Sequence, residues 1–145
     1  MMKRTILALG AIALTMTGGL TAAQAGGSSV SIFQYGLGNG VGGAQSGYAN
    51  RLTVDQAGRY NSAISNQRGS RNLTVIGQRG SRNSAETAQR GGGNITGVAQ
   101  FGSGHTVVTS QDGHGNAVGV IQAGRANHAA SRQVGAGNVA VIVQD

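Results

Sequence analysis

The sequence predicts an all-β fold: a β-solenoid with two strands per coil, its 22-residue coils stacked in the cross-β manner of amyloid, behind a helical signal peptide. Three observations carry this. Glutamine recurs at a fixed interval of eleven residues from Gln34 to Gln144. Within each interval a glycine follows two places later, and an asparagine follows five places later in all but one. Large apolar groups are also scarce: the 145 residues include 27 glycines, 3% aromatics, and no proline, cysteine or tryptophan. An ordinary globular core owes its stability to burying such groups, so order here must have another source. Valine, isoleucine and leucine recur throughout, which separates the chain from a flexible linker. The lack of cysteine excludes a disulfide scaffold.

The chain divides at residue 25. Residues 1–25, "MMKRTILALGAIALTMTGGLTAAQA", have Lys3 and Arg4, an apolar run from Ile6 to Met16, and "AQA" from Ala23 to Ala25. This is the pattern of a secretory signal peptide cleaved after Ala25. The apolar run is too short and too interrupted for a membrane anchor, so the mature chain is expected to lack a span. The repeat domain occupies residues 26–145. It keeps nine arginines, no lysine and four acids, a formal net charge of +5.

The repeat is Q-x-G-x-x-N-x-x-x-x-x. Its glutamines are Gln34, Gln45, Gln56, Gln67, Gln78, Gln89, Gln100, Gln111, Gln122, Gln133 and Gln144. Its glycines are Gly36, Gly47, Gly58, Gly69, Gly80, Gly91, Gly102, Gly113, Gly124 and Gly135. Its asparagines are Asn39, Asn50, Asn61, Asn72, Asn83, Asn94, Asn116, Asn127 and Asn138, with His105 standing where a tenth would be.

The seven residues from asparagine to glutamine, as in "NRLTVDQ" and "NLTVIGQ", have the length of a common strand. Alternate side chains share a face. The Asn–Gln face also carries pairs such as Leu52 and Val54, Thr74 and Ile76, and Val118 and Val120, none of them charged. Arg51, Asp55, Asn66, Glu86, His128 and Arg132 fall on the other face, so the Asn–Gln face is predicted to be the inner one. The four residues after each glutamine, such as "RGSR", read as tight turns because glycine accepts positive φ. They hold a basic stripe of Arg68, Arg71, Arg79, Arg82 and Arg90.

A helix needs a different spacing and tolerates less glycine. A hairpin meander would pair asparagine with glutamine. A coil of two strands instead places residue i under residue i+22, glutamine on glutamine and asparagine on asparagine at about 4.8 Å. Identical amides at that spacing hydrogen-bond up the stack as a ladder, which satisfies polar groups on an inner face. Strict identity at one period is what a ladder demands. The strands run from Ser28–Gln34 to Asn138–Gln144, and neither end has the polar cap that solenoids use, so both are templates for another copy.

These residues resemble the curlin family, the subunits of bacterial curli fibres. The family motif S-x5-Q-x-G-x-x-N-x-A-x3-Q is approximated by "SSVSIFQYGLGNGVGGAQ", with Ser28, Gln34, Gly36, Asn39 and Gln45. Gln56, Gly58, Asn61, Ala63 and Gln67 supply it again. The resemblance implies secretion across the outer membrane, self-assembly into cross-β fibres, and roles in adhesion and biofilm matrix. It also implies partners: further copies, another curlin subunit, and secretion or chaperone components. Three features depart from the family. Serine opens only the first strand, the glycine-rich leader shrinks to "GGSS", and the charge is positive as in the minor, nucleating subunit. The unbroken ladder is more like the major subunit.

Other chemistries find little support. Asp55, Glu86, Asp112 and Asp145 are scattered, with no acid–base pair, so an enzyme is not expected. His105, His114 and His128 do not share the repeat period, so stacking does not cluster them for a metal, and no cofactor is expected. "NLT" and "NIT" match a glycosylation acceptor, but both asparagines face inward. Ice binding would want a regular outer face of threonines, which is absent. The arginine turns would attract anionic surfaces or extracellular DNA without sequence preference, there being no aromatic stacking set beside them. The competing reading is therefore a monomeric, secreted, basic solenoid that binds polyanions.

Overall fold

The computed structural model describes residues 26–145, and the expected signal peptide at 1–25 lies outside them. The chain winds through eleven strands: β1 Ser29–Leu37, β2 Gly40–Tyr48, β3 Arg51–Arg59, β4 Ser62–Ser70, β5 Leu73–Ser81, β6 Ser84–Gly92, β7 Ile95–Ser103, β8 Thr106–His114, β9 Ala117–Arg125, β10 His128–Ala136 and β11 Val139–Gln144. Odd strands form a six-stranded sheet and even strands a five-stranded sheet, each in chain order. Every pairing is parallel and every register is i with i+22, as in Gln56 with Gln78 and Gln67 with Gln89. The fold is thus the two-strand β-solenoid that the period of eleven predicts, and no meander is present among the described residues. No helix of the described residues is long and apolar enough to cross a membrane.

The core lies between the two sheets. Leu52, Val54, Ile76, Val98, Val107, Val118 and Val120 fill it, together with Ala63, Ala85 and Ala129. Ile32, Val41, Ala140 and Ile142 at the ends are only partly covered. Glutamines and asparagines of the inner coils are as deeply buried as the aliphatic residues.

The strands differ from expectation at both ends. They start one residue after the asparagine and run three past the glutamine, so they span nine residues in ten of eleven cases. The four-residue turn shrinks to two. The reason is the glycine two places after each glutamine. Its φ, +102° at Gly91 for example, bends the strand, while its pairing with the glycine of the next coil continues unbroken. The chain is therefore paired through the arc.

Candidate functional site: amide ladders and glycine arcs

The glutamines form two ladders. In the odd sheet Nε2 of Gln34, Gln56, Gln78, Gln100 and Gln122 each donates to Oε1 of the next, ending on Gln144, at 2.7–3.0 Å. In the even sheet Gln45, Gln67, Gln89 and Gln111 do the same, ending on Gln133, at 2.6–3.0 Å. Each Nε2 from Gln45 onward also donates across the coil to the backbone carbonyl sixteen residues earlier, as Gln78 does to Ser62 at 2.9 Å and Gln100 to Ser84 at 3.0 Å. A carbonyl can only accept, so these contacts fix which end of each amide carries hydrogen. All rungs therefore point the same way, nitrogen toward the higher-numbered coil.

The asparagines do something else. The ladder expected of them forms in one sheet only, where Asn72, Asn94, Asn116 and Asn138 each donate Nδ2 to the Oδ1 one coil earlier at 2.9–3.1 Å. The shared use of asparagine is to hold the backbone. Oδ1 of Asn39, Asn50, Asn61, Asn72, Asn83, Asn94 and Asn116 accepts the N–H of the residue one coil later at 3.0–3.2 Å. Nδ2 of the same seven donates to the carbonyl of an arc glycine nineteen residues on, at 2.9–3.2 Å. A short amide reaches both groups where the chain leaves the arc; a longer one would overshoot. Asn127 and Asn138, which precede the last strands of the two sheets, make neither bond, and their Nδ2 groups donate instead to the carbonyls of Ala123 and Val134.

Two residues replace asparagine. Ser28 accepts the Asn50 N–H on Oγ at 3.0 Å. His105, fully buried, takes the Asn127 N–H on Nδ1 at 3.2 Å and sits 3.1 Å from the Phe101 carbonyl through Nε2. A backbone N–H can only donate, so Nδ1 accepts and Nε2 carries the proton toward Phe101. The ring thereby takes over asparagine's hold on the backbone of the next coil.

Sequence reasoning missed the threonines. Thr74 accepts from Gln67 at 3.1 Å and donates to Gln89 at 3.0 Å. Thr96 does the same between Gln89 and Gln111 at 3.1 and 2.9 Å. They belong to the odd sheet and brace the ladder of the even one. Their spacing of 22, at an inner position, was the available signal. Ser65 Oγ and Thr109 Oγ1 are buried without a partner.

The glycines of the ladder repeat are required by contact as well as by φ. A Cβ on Gly36, Gly47, Gly58, Gly69, Gly80, Gly91, Gly102 or Gly113 would stand 1.8–2.0 Å from the carbonyl oxygen of the glycine one coil on. Two places later the demand is looser: Ala49, Tyr60, Arg71, Arg82 and Ala126 adopt φ of 54–58° there.

The five arginines do not form one stripe. Arcs after even strands lie along one edge of the solenoid and arcs after odd strands along the other. Arg68 and Arg90 are register partners on β4 and β6, with Arg71 in the same edge. Arg79 and Arg82 lie on the opposite edge, where Arg79 pairs in register with Phe101. Asp112 follows Arg90 in its column. Ser46, Asn66, Arg68 and Arg90 line a shallow groove of about 300 Å³. Among the described residues no three His, Asp or Glu side chains gather as a metal site.

Residues 80–108 match the model of the curlin associated repeat. The chain carries a curlin repeat. No curated protein matches the chain. The matched stretch spans β6 and β7 and the arcs around them, where glutamine, glycine and asparagine have the geometry just described. The same hydrogen bonds recur from coil to coil outside the match. Both the repeat and the solenoid it builds are structural, not enzymatic, in kind.

Proposed function

We propose that this protein is a secreted structural subunit that self-assembles, end to end, into curli-like extracellular amyloid fibres at the bacterial surface, serving adhesion and biofilm matrix. The observation that carries the reading is the polarity of the glutamine ladders. Among the described residues, Oε1 of Gln34 and Gln45 receives no donor, while Nε2 of Gln133 and Gln144 donates only to Ala117 and His128 carbonyls. One end of the solenoid thus offers free acceptors and the other free donors, on strands whose edges are unpaired. A second copy stacked head to tail joins both ladders, whereas like ends would set donor against donor. The curlin repeat supports the same reading. Another curlin subunit and secretion components would be its further partners.

The chain from Gly26, at tens of micromolar in buffer, is expected to polymerise, bind thioflavin and diffract near 4.8 and 10 Å. A protein that stays monomeric for days by light scattering would defeat the reading and leave the basic, polyanion-binding monomer in its place. Gln45→Ala or Gln133→Ala should slow growth far more than Ser103→Ala.

A further inference from the structure

Residues 26–145 give the odd sheet six strands and the even sheet five, so both ends of the solenoid are stepped. β1 projects half a coil beyond β2 at one end, and β11 half a coil beyond β10 at the other. The step limits how a second copy can seat. With odd sheet set on odd sheet, β1 of the next copy pairs with β11, and one strand is then missing between β10 and the next β2. That gap breaks the even glutamine ladder and leaves two unpaired strand edges facing each other across roughly 10 Å. With the next copy turned by half a turn about the solenoid axis, both steps are filled. Its β1 lies on β10 and its β2 on β11. A rotation about the axis leaves the ladder direction unchanged, so Nε2 of Gln133 and Gln144 meets Oε1 of Gln34 and Gln45 of the next copy.

The side chains of the end strands suit this seating. Phe33, Tyr35, Val134, Val139, Val141 and Val143 are the large apolar residues exposed by 63–79%, and all lie on β1, β10 and β11. The register of i with i+22, carried across the junction, sets Tyr35 of the next copy beside Val134. It sets Phe33 beside Arg132, whose guanidinium can lie on the ring. The three valines of β11 fall beside Gly40, Gly42 and Ala44 of the next copy, small residues that leave them room. Inside, Oδ1 of Asn127 and Asn138 accepts nothing among the described residues. The same register brings each the backbone N–H it lacks, from Ser28 and Asn39 of the next copy.

We propose that each copy in the fibre is turned half a turn from the one before it, and that two strand junctions join them: β10 to the next β1, and β11 to the next β2. The inference rests on the fibre reading and names the surface through which copies meet. Eleven strands at two per coil occupy about 26 Å of axis, so the fibre repeats every two copies, at about 53 Å. Odd and even sheets alternate along each side of it.

Cysteine pairs test this in fibres grown from the chain of residues 26–145, which has no other thiol. Tyr35→Cys with Val134→Cys, both outward, should be joined by a short bis-maleimide into dimers, trimers and longer multimers on a denaturing gel. Ala44→Cys with Val143→Cys should give the same ladder across the other junction. Phe33→Cys with Val143→Cys are register partners only with odd sheet on odd sheet, and should stay monomeric. Fibres linked by this last pair, or by neither of the first two, overturn the proposal alone. Unsubstituted fibres give an independent reading by electron cryomicroscopy. A rise of about 26 Å per copy is expected, and a rise of about 29 Å, the six coils of the unrotated stack, overturns the proposal. Chains that never polymerise overturn the fibre reading and this one together.

Discussion

Gly91 and Gly93 lie two residues apart in one arc and should respond to the same substitution in different measure. Gly91 has φ of +102°, and an added Cβ would meet the Gly113 carbonyl oxygen at 2.0 Å, an ångström short of any real Cβ approach. That oxygen also accepts the Asn94 amide at 2.9 Å. Gly91→Ala must therefore part β6 from β8 by about an ångström at the arc. The loss of a hydrogen bond with a buried group left unsatisfied costs about 1–3 kcal/mol. Holding a residue with a Cβ at positive φ costs a further 1–2 kcal/mol or so. The sum is about 2–5 kcal/mol. Gly93 has φ of +66°, and its added Cβ would find its nearest atom at 4.0 Å, an ordinary contact. Gly93→Ala should cost about 1 kcal/mol, the left-handed penalty alone. Guanidinium unfolding of dilute chain, followed by far-UV circular dichroism at an unchanged m-value, measures both. Midpoints that place the two variants within about 1 kcal/mol of each other would refute the claim that close approach between coils selects the repeat glycine.

Three further outcomes are expected. Ser65→Ala and Thr109→Val remove hydroxyls with no partner and should hold or raise the unfolding midpoint, while Thr96→Val breaks the ladder brace and should lower it by about 1–3 kcal/mol. His105→Asn keeps an acceptor for the Asn127 N–H and should stay near wild type in the same assay, whereas His105→Ala orphans that N–H and the Phe101 carbonyl and should be destabilised by about 2–5 kcal/mol. Arg68 and Arg90 repel at one strand spacing by about 1 kcal/mol in water, and Asp112 attracts Arg90 by a similar amount. Asp112→Asn should thus lengthen the lag of fibre formation at low ionic strength, and salt near 0.5 M, where screening acts over roughly 4 Å, should restore it; a lag untouched by this change would show that the arginine column does not govern assembly.

The period of eleven made the fold legible because a side-chain ladder tolerates no phase error. Gln34 to Gln144 therefore announced coil length, parallel register and the buried face together, with no help from propensity. The same signal was silent on polarity. Whether a glutamine donates up or down the stack depends on where its second N–H finds a carbonyl, and that carbonyl, Ser62 for Gln78, belongs to the opposite sheet. Asparagine was misread for a related reason: repetition shows that a residue is required at each coil, but not whether its partner is its own copy or the backbone. The arginines were misread because turns adjacent in sequence lie on opposite edges of a flattened coil, so Arg68 and Arg79, eleven apart, are separated by the full width of the molecule. Glycine separates into two kinds by the same geometry. Gly91 is repeated because another backbone of the same chain lies against it. Gly97 and Gly119 stand outside the repeat, with no positive φ and with open space before them, so no contact within the chain selects them.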